Sequence, residues 1–291
     1  MTSTQKQDWR GAALILASAG AFSTAGFFTR LITVDSWTVL FWRGIFGGAF
    51  IAAFVVASGR GAAAWTALRE RWGITALVAA CSALATVCFI NALRRSTVAD
   101  VTVIYATAPF LTAAIGWLWL GTRESRVTLV ASVVALLGVV VMFGAAASDG
   151  HLFGDLLALV MTGLMSMFMV LVRRHRDVPM LPAAAASAFA SAVLVSPVAA
   201  PLAPGGLEFL WLALFGITQF GLGLLLLTLG SRLISPTRTA LIGNLEIPLA
   251  PAMVWLAFGE VPALVSCAGG LLVLGAVVGD LWLRPAEGEQ G

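Results

Sequence analysis

Arg43 and Glu246 are the charged residues that this sequence places deepest in apolar surroundings. Arg43 stands in Phe-Trp-Arg-Gly-Ile-Phe-Gly-Gly, well inside an apolar run. At about 1.5 Å per helical residue it lies about 10 Å along that run. A charge at the centre of a bilayer costs about 2.5–3.5 kcal/mol on insertion scales, so it needs a reason to be there. Arg43 could bind a substrate carboxylate or gate a pathway. It could equally snorkel outward, or form a structural pair with an acid such as Asp35 or Asp100. Glu246 is expected to be the one acid deep within a helix. It could carry a proton for coupling or hold a substrate ammonium; the alternative is a neutral, hydrogen-bonded packing residue.

Helical spacing adds polar and aromatic partners to this pair. Thr102, Tyr105, Pro109 and Thr112 fall on one helix face, and Leu241, Asn244, Pro248 and Pro251 on another. These two faces are expected to meet across a central cavity. Tyr105 is the only tyrosine, and its ring could stack on a substrate. A helix broken near Pro109 or Pro248 would free backbone carbonyls one turn earlier, tolerated in a membrane where they line a cavity. Asn91 and Gln219 bring full amides to lipid depth, and Ser23 a hydroxyl that more often bonds its own helix. Phe22, Met161 and Met165 could give adaptable apolar walls, although packing is the simpler role for each.

Other chemistries find no residues to carry them. Cys81, Cys88 and Cys267 are an odd set inside apolar runs, which argues against a disulfide framework. His151 and His175 sit at run ends, and no Cys/His cluster has metal-ligand spacing. No phosphate-binding Gly-x4-Gly-Lys-Ser/Thr spacing occurs. The expectation is a non-enzyme without metal or cofactor.

The elements that position these residues are membrane helices. The chain is 60% hydrophobic and 11% charged, against about 25% charged in soluble domains. Ten apolar stretches are read as helices, over about 11–32, 36–57, 72–93, 97–120, 126–143, 152–172, 183–202, 207–230, 236–258 and 262–283. The first runs on to Phe28, too long for a signal-peptide core. Connections are short, and none is long enough to fold alone, the longest being Ser58–Arg71. With the N-terminus in the cytoplasm, Lys6, Arg10, Arg60, Arg69, Arg71, Arg123, Arg126, Arg173, Arg174, Arg176, Arg232, Arg238 and Arg284 lie inside. Only Arg30, Arg94 and Arg95 lie outside. That bias predicts both termini in the cytoplasm and an even number of spans.

The ten stretches divide into two fives. Pro109 and Pro248 are 139 residues apart, and Gly121 and Gly259 are 138 apart, each glycine following an aromatic-rich turn. An odd number of spans per half turns the second copy upside down, the construction of many secondary transporters. Residues 10–145 are read as the first repeat and 150–284 as the second, inverted one. Gly44…Gly48 and Gly275…Gly279 have the small-xxx-small spacing of close helix contact, read first as packing within one subunit. The chain is expected to be a monomer or a homodimer.

These motifs resemble the drug/metabolite transporter superfamily, in particular its EamA-type ten-helix members. Ala92-Leu93, Pro109 and Gly121…Glu124 resemble the family pattern in the first half, with two residues inserted before Glu124. Glu246-Ile-Pro248 and Gly259-Glu260 resemble it in the second, as do Arg43 and the basic pair Arg173-Arg174. The resemblance implies export of small metabolites across a bacterial inner membrane by alternating access, without ATP. It extends to YddG-like exporters of aromatic and other neutral amino acids, with exporters of drugs or organic cations, or a passive channel, as alternatives. The residue readings above give the expected cavity lining as Phe22, Ser23, Asn91, Tyr105, Pro109, Met161, Met165, Gln219, Asn244 and Pro248, with Arg43 and Glu246 for coupling or gating.

Overall fold

The computed structural model describes residues 3–59, 61–96, 98–121, 123–143, 152–175, 178, 180–259, 261 and 263–283. Arg60, Arg176, His151, Glu260 and Arg284 lie outside the described residues. The elements are helices, in the order α1 (Ser3–Ser23), α2 (Ala25–Leu31), α3 (Ser36–Ala57), α4 (Gly61–Glu70) and α5 (Trp72–Arg95). Then follow α6 (Val98–Tyr105), α7 (Ala108–Leu120), α8 (Arg126–Phe143), α9 (Leu152–Arg174) and α10 (Leu181–Val195). Next come α11 (Gly206–Leu214), a π-helical segment (Phe215–Leu222), α12 (Gly223–Gly230), α13 (Pro236–Gly243), α14 (Glu246–Phe258) and α15 (Leu264–Leu283).

Among the described residues, eight helical stretches are long and apolar enough to cross a membrane, and Arg126–Met142 and Leu181–Val195 are shorter apolar helices. Exposed Leu118, Val130, Leu256 and Leu271 give an apolar outer surface that water would penalise and lipid would cover. Exposed Trp9, Trp72, Trp117, Trp255 and Trp282 stand near helix ends, where membrane proteins carry their aromatic belts.

Local chemistry sets several boundaries. The Asp35 carboxylate accepts from the Trp37 and Thr38 amides and the Thr38 hydroxyl, capping α3. Ser235 accepts from the Arg238 amide at 3.3 Å, and Pro236 opens α13 where an amide donor is not needed. Gly121 and Gly259 end α7 and α14 in the left-handed region, at φ 67° and 71°, each amide donating to a tryptophan carbonyl, Trp117 and Trp255.

Four of the apolar stretches are not continuous helices. The first breaks at Thr24, the fourth at Ala106–Thr107 and the ninth at Asn244–Leu245, while the eighth widens into the π segment. The expected mid-helix prolines therefore stand elsewhere. Pro109 occupies the first turn of α7 and Pro248 that of α14, where a missing amide costs no helix bond. The Ser58–Arg71 connection, expected to be irregular, contains α4.

Glycine allows the closest helix contacts. A Cβ at Gly138 on α8 would stand 2.6 Å from the Gly269 carbonyl on α15, so these backbones touch. A Cβ at Gly44 on α3 would stand 2.6 Å from the Ala188 carbonyl on α10. Gly48 meets the Phe189 ring, so the Gly44…Gly48 pair packs within the subunit as expected. Gly275 meets nothing within 4 Å. The remaining principal pairs are α5 with α9, α1 with α12, α5 with α10, and α3 with the π segment.

Candidate functional site

The breaks bring α6–α7 and α13–α14 together. Asn244, 1% exposed at the end of α13, donates from Nδ2 to the Ala106 carbonyl at the end of α6, at 3.2 Å. The two interrupted helices thus meet at their interruptions. The unsatisfied backbone of one is bridged by the side chain of the other. The Asn244 Oδ1 is buried and has no partner among the described residues.

Glu246 is the first residue of α14 rather than a residue deep in a helix. It is partly buried, and its carboxylate has no hydrogen bond or ion pair among the described residues. A carboxylate in a helix's first turn is favoured by the unpaired amides there. Tyr105, the last residue of α6, directly precedes Ala106, whose carbonyl is bonded by Asn244, two residues before Glu246. It packs against the buried cluster of Ala85, Ala92, Val101, Ala158 and Met161. Asn244, Glu246 and Tyr105 therefore form a cluster with acceptors and one acid around the two breaks.

Arg43 is not in that cluster. Its guanidinium lies 4.5 Å from the centroid of Phe220 and 6.0 Å from that of Phe215, both on the π segment. Neither Asp35 nor Asp100 pairs with it: Asp35 caps α3, and Asp100 accepts from the Ser96 hydroxyl at 3.4 Å. The Arg43 Nε is buried without a partner. Aromatic faces stabilise a guanidinium where no carboxylate reaches, and glycine lets α3 approach the π segment closely enough for this. A Cβ on Gly216 would stand 3.3 Å from the Arg43 Cα.

Gln219, also on the π segment and 5% exposed, points Nε2 at the Phe22 carbonyl at a long 3.5 Å and leaves Oε1 unpartnered. Phe22 packs its ring against Gly223. Ser23, 1% exposed, donates to the Gly20 carbonyl at 2.7 Å, the self-satisfied pattern of a structural hydroxyl. Asn91 donates to the Val87 carbonyl and accepts from Arg95, so its amide is engaged at the end of α5. Pro109 is buried, Met165 packs on the main core, and Pro248 faces Gly270 on α15 rather than the α6–α7 break. The Thr102-to-Thr112 face is divided by the break, and Thr112, fully buried, donates to the Ala108 and Pro109 carbonyls.

A polar group outside this region escaped the sequence reading. Asp280 on α15 is 0% exposed and bonds Arg238 Nε at 2.8 Å, while its other oxygen accepts from the Thr128 hydroxyl at 2.6 Å. Arg238 also faces Asp8 at 3.6 Å. Glu246 is thus not the only acid buried among the helices. The available signal was that Asp280 and Arg238 fall near the same end of the bundle by helix parity.

Known proteins bear on this arrangement. A solved structure described as "Crystal structure of protein" has the same fold, with a TM-score of 0.82, 19% identity, and coverage of 94% of this chain and 98% of that one. No curated protein matches the sequence. Residues 9–144 match the model of the EamA-like transporter family, so the first half of this multi-pass membrane protein carries an EamA-like transporter domain, which points to the movement of small molecules.

Proposed function

We propose that the chain is a secondary transporter that exports small amine-bearing metabolites by alternating access, neutral and aromatic amino acids first among them. It would cross a bacterial inner membrane ten times, as two inverted repeats over 10–145 and 150–284, with both termini in the cytoplasm. The observation that carries this reading is the correspondence between the halves. The interruptions begin at Ala106 and Asn244 and the left-handed caps stand at Gly121 and Gly259, each pair 138 residues apart. The packing supports it as well. The pairs α5–α9 and α1–α12 exchange under such a twofold, as do α10–α5 and α3 with the π segment. The pairs α3–α10 and α8–α15 map onto themselves.

The substrate ammonium would sit against the Glu246 carboxylate and the Asn244 Oδ1, with the Tyr105 ring beside it. The Asn244 Oδ1 is buried without a partner among the described residues, and a buried unpaired acceptor is costly until a donor arrives; the partly buried Glu246 carboxylate bonds none of them either. Arg43 would brace α3 against the π segment rather than bind a carboxylate. That placement also favours a second reading, the export of organic cations, because the cluster holds an acid and no base among the described residues.

The test is counterflow in proteoliposomes against labelled amino acids and organic cations. Saturable exchange of amino acids is the expected result; exchange of cations alone would remove the amino-acid assignment. Flux that is linear with gradient and never saturates would make the protein a channel. Glu246→Gln is expected to lower amine transport at least about tenfold, the scale of a lost hydrogen bond to a charged group.

A further inference from the structure

Two eight-residue half-helices, α6 and α13, occupy matching places, each ending at one of the paired breaks. Their surroundings do not match. α13 packs against α1, α7, α8 and α9, which wedges it across the bundle at the end that carries Asp8. Under the twofold, the counterparts of these contacts for α6 would be α9, α14, α15 and the α1–α2 helix. Only α9 is met; among the described residues α6 has no more than marginal contact with the other three and leans instead on α5 and α8. α13 is therefore held against helices of both halves, whereas α6 lacks the matching contacts with α14, α15 and the α1–α2 helix.

Polar contacts hold the drawn end. Arg238, 5% exposed and in the first turn of α13, pairs with the fully buried Asp280 on α15 and faces Asp8 on α1. Asp280 in turn accepts from Thr128 on α8. The Ser235 hydroxyl, capping α13, donates to Glu124 at 3.1 Å, and Arg173 at the end of α9 donates to the Arg232 carbonyl at 2.7 Å. The position 138 residues before Arg238 is Asp100. Asp100 accepts from Ser96, whose hydroxyl also donates to Asp155 on α9, so the polar contacts at that end tie α5 and α6 to α9 and do not repeat the Arg238–Asp280 pair.

We propose that Arg238 is a positioning residue that latches α13 across the Asp8 end of the pathway, and that each transport cycle must open its pair with Asp280. This rests on the inverted-repeat reading above. The latch makes the conformation with α6 free the resting one, open on the side away from the termini.

The test is labelling by a membrane-impermeant maleimide in sealed right-side-out and inside-out vesicles. The full chain is used with Cys81, Cys88 and Cys267 replaced by alanine and one reporter cysteine, Thr102→Cys on α6 or Leu241→Cys on α13. In the starting background, position 102 is expected to label from the side opposite the termini and position 241, fully buried, to be protected from both. Arg238→Gln is expected to raise labelling at 241 from the terminal side about tenfold and to lower it at 102, and Arg238→Lys to restore the original pattern. Unchanged labelling at 241, or a rise at both positions together, overturns the latch. Should Arg238→Gln fail to fold, Glu124→Ala, which removes the acceptor of the Ser235 hydroxyl, must move the two rates in the same opposite directions. Labelling needs no substrate, so its outcome is independent of the counterflow result. Labelling of 102 and 241 from one and the same side would instead refute the inverted repeat.

Discussion

Asn244→Val separates two roles that one amide combines. The Asn244 Nδ2 bonds the Ala106 carbonyl at 3.2 Å, and its Oδ1 is buried without a partner. Replacing the amide with an apolar side chain of similar size leaves the Ala106 carbonyl unpaired, which costs about 1–3 kcal/mol. It also removes an unpaired buried oxygen, whose desolvation penalty falls in the same range of about 1–3 kcal/mol. The two offset, so stability is expected to change by no more than about 1 kcal/mol. Substrate binding has no such compensation. If the Oδ1 accepts from a substrate ammonium, its loss costs about 1.5–3 kcal/mol, because one partner is charged. That is roughly a 10- to 150-fold rise in KM at about 1.4 kcal/mol per decade. The assays are thermal unfolding of the purified protein and the concentration dependence of counterflow. A KM within about twofold of the starting protein, together with a clearly lowered melting temperature, would refute the argument. It would mean that the oxygen is satisfied in the resting protein and has no ligand to meet.

Two stability predictions follow from the helix contacts and caps. Gly269→Ala puts a Cβ onto the Gly138 carbonyl and the Met142 backbone of α8, obstacles that cannot swing away, and is expected to cost at least about 1–3 kcal/mol. Gly275→Ala, on the same helix with open space around it, is expected to be neutral or slightly stabilising in parallel melts, and equal losses from the two would contradict the backbone contact. At Asp35, burial pushes the carboxyl up, but hydrogen bonds from Thr38 and Trp37 outweigh it and hold it below the ordinary value of 3.8. Its cap is therefore fully present above pH 3.8 and is lost as the pH falls through the lower folded value. Asp35→Ala is expected to cost about 0.5–2 kcal/mol at neutral pH, with the difference from the starting protein vanishing in acid.

The apolar runs, the paired prolines and the Gly121 and Gly259 turns were legible because each has a local signature: length, a missing amide, a left-handed turn. The breaks were misplaced by two to four residues for a physical reason. Proline was read as the point where a helix fails, whereas Pro109 and Pro248 stand in the first turn of the helix that restarts. Moving the failure upstream puts Asn244 at a helix end and Glu246 at a helix start, which changes what each can do. The π segment has no local signature, since Phe215–Leu222 reads as an ordinary apolar helix. That is why Arg43 was matched with carboxylates: the rings that receive it are arranged by a backbone widening invisible in the sequence. Asp280 was missed because its burial depends on Arg238, distant in sequence and brought to it only by tertiary packing.

The distribution of interruptions divides the molecule into parts that hold and parts that can move. The α3–α10 and α8–α15 pairs are uninterrupted within each helix and touch backbone to backbone at glycine. Such contacts tolerate little sliding, because a small shift brings carbonyl against Cα. The α1–α2, α6–α7 and α13–α14 helices each contain a break, where a few backbone dihedrals can absorb rotation without losing a full ladder of hydrogen bonds. Residues with unmet acceptors, Gln219, Asn244 and Glu246, lie on interrupted helices, and none lies on either glycine-bound pair. An unpaired acceptor on a rigid scaffold would be a permanent cost. On an element with two positions it can be met in one of them or by a passing ligand, so unmet acceptors and mobile backbone belong on the same helices, whereas the unpaired Arg43 Nε on α3 is a donor with aromatic rings beside its guanidinium.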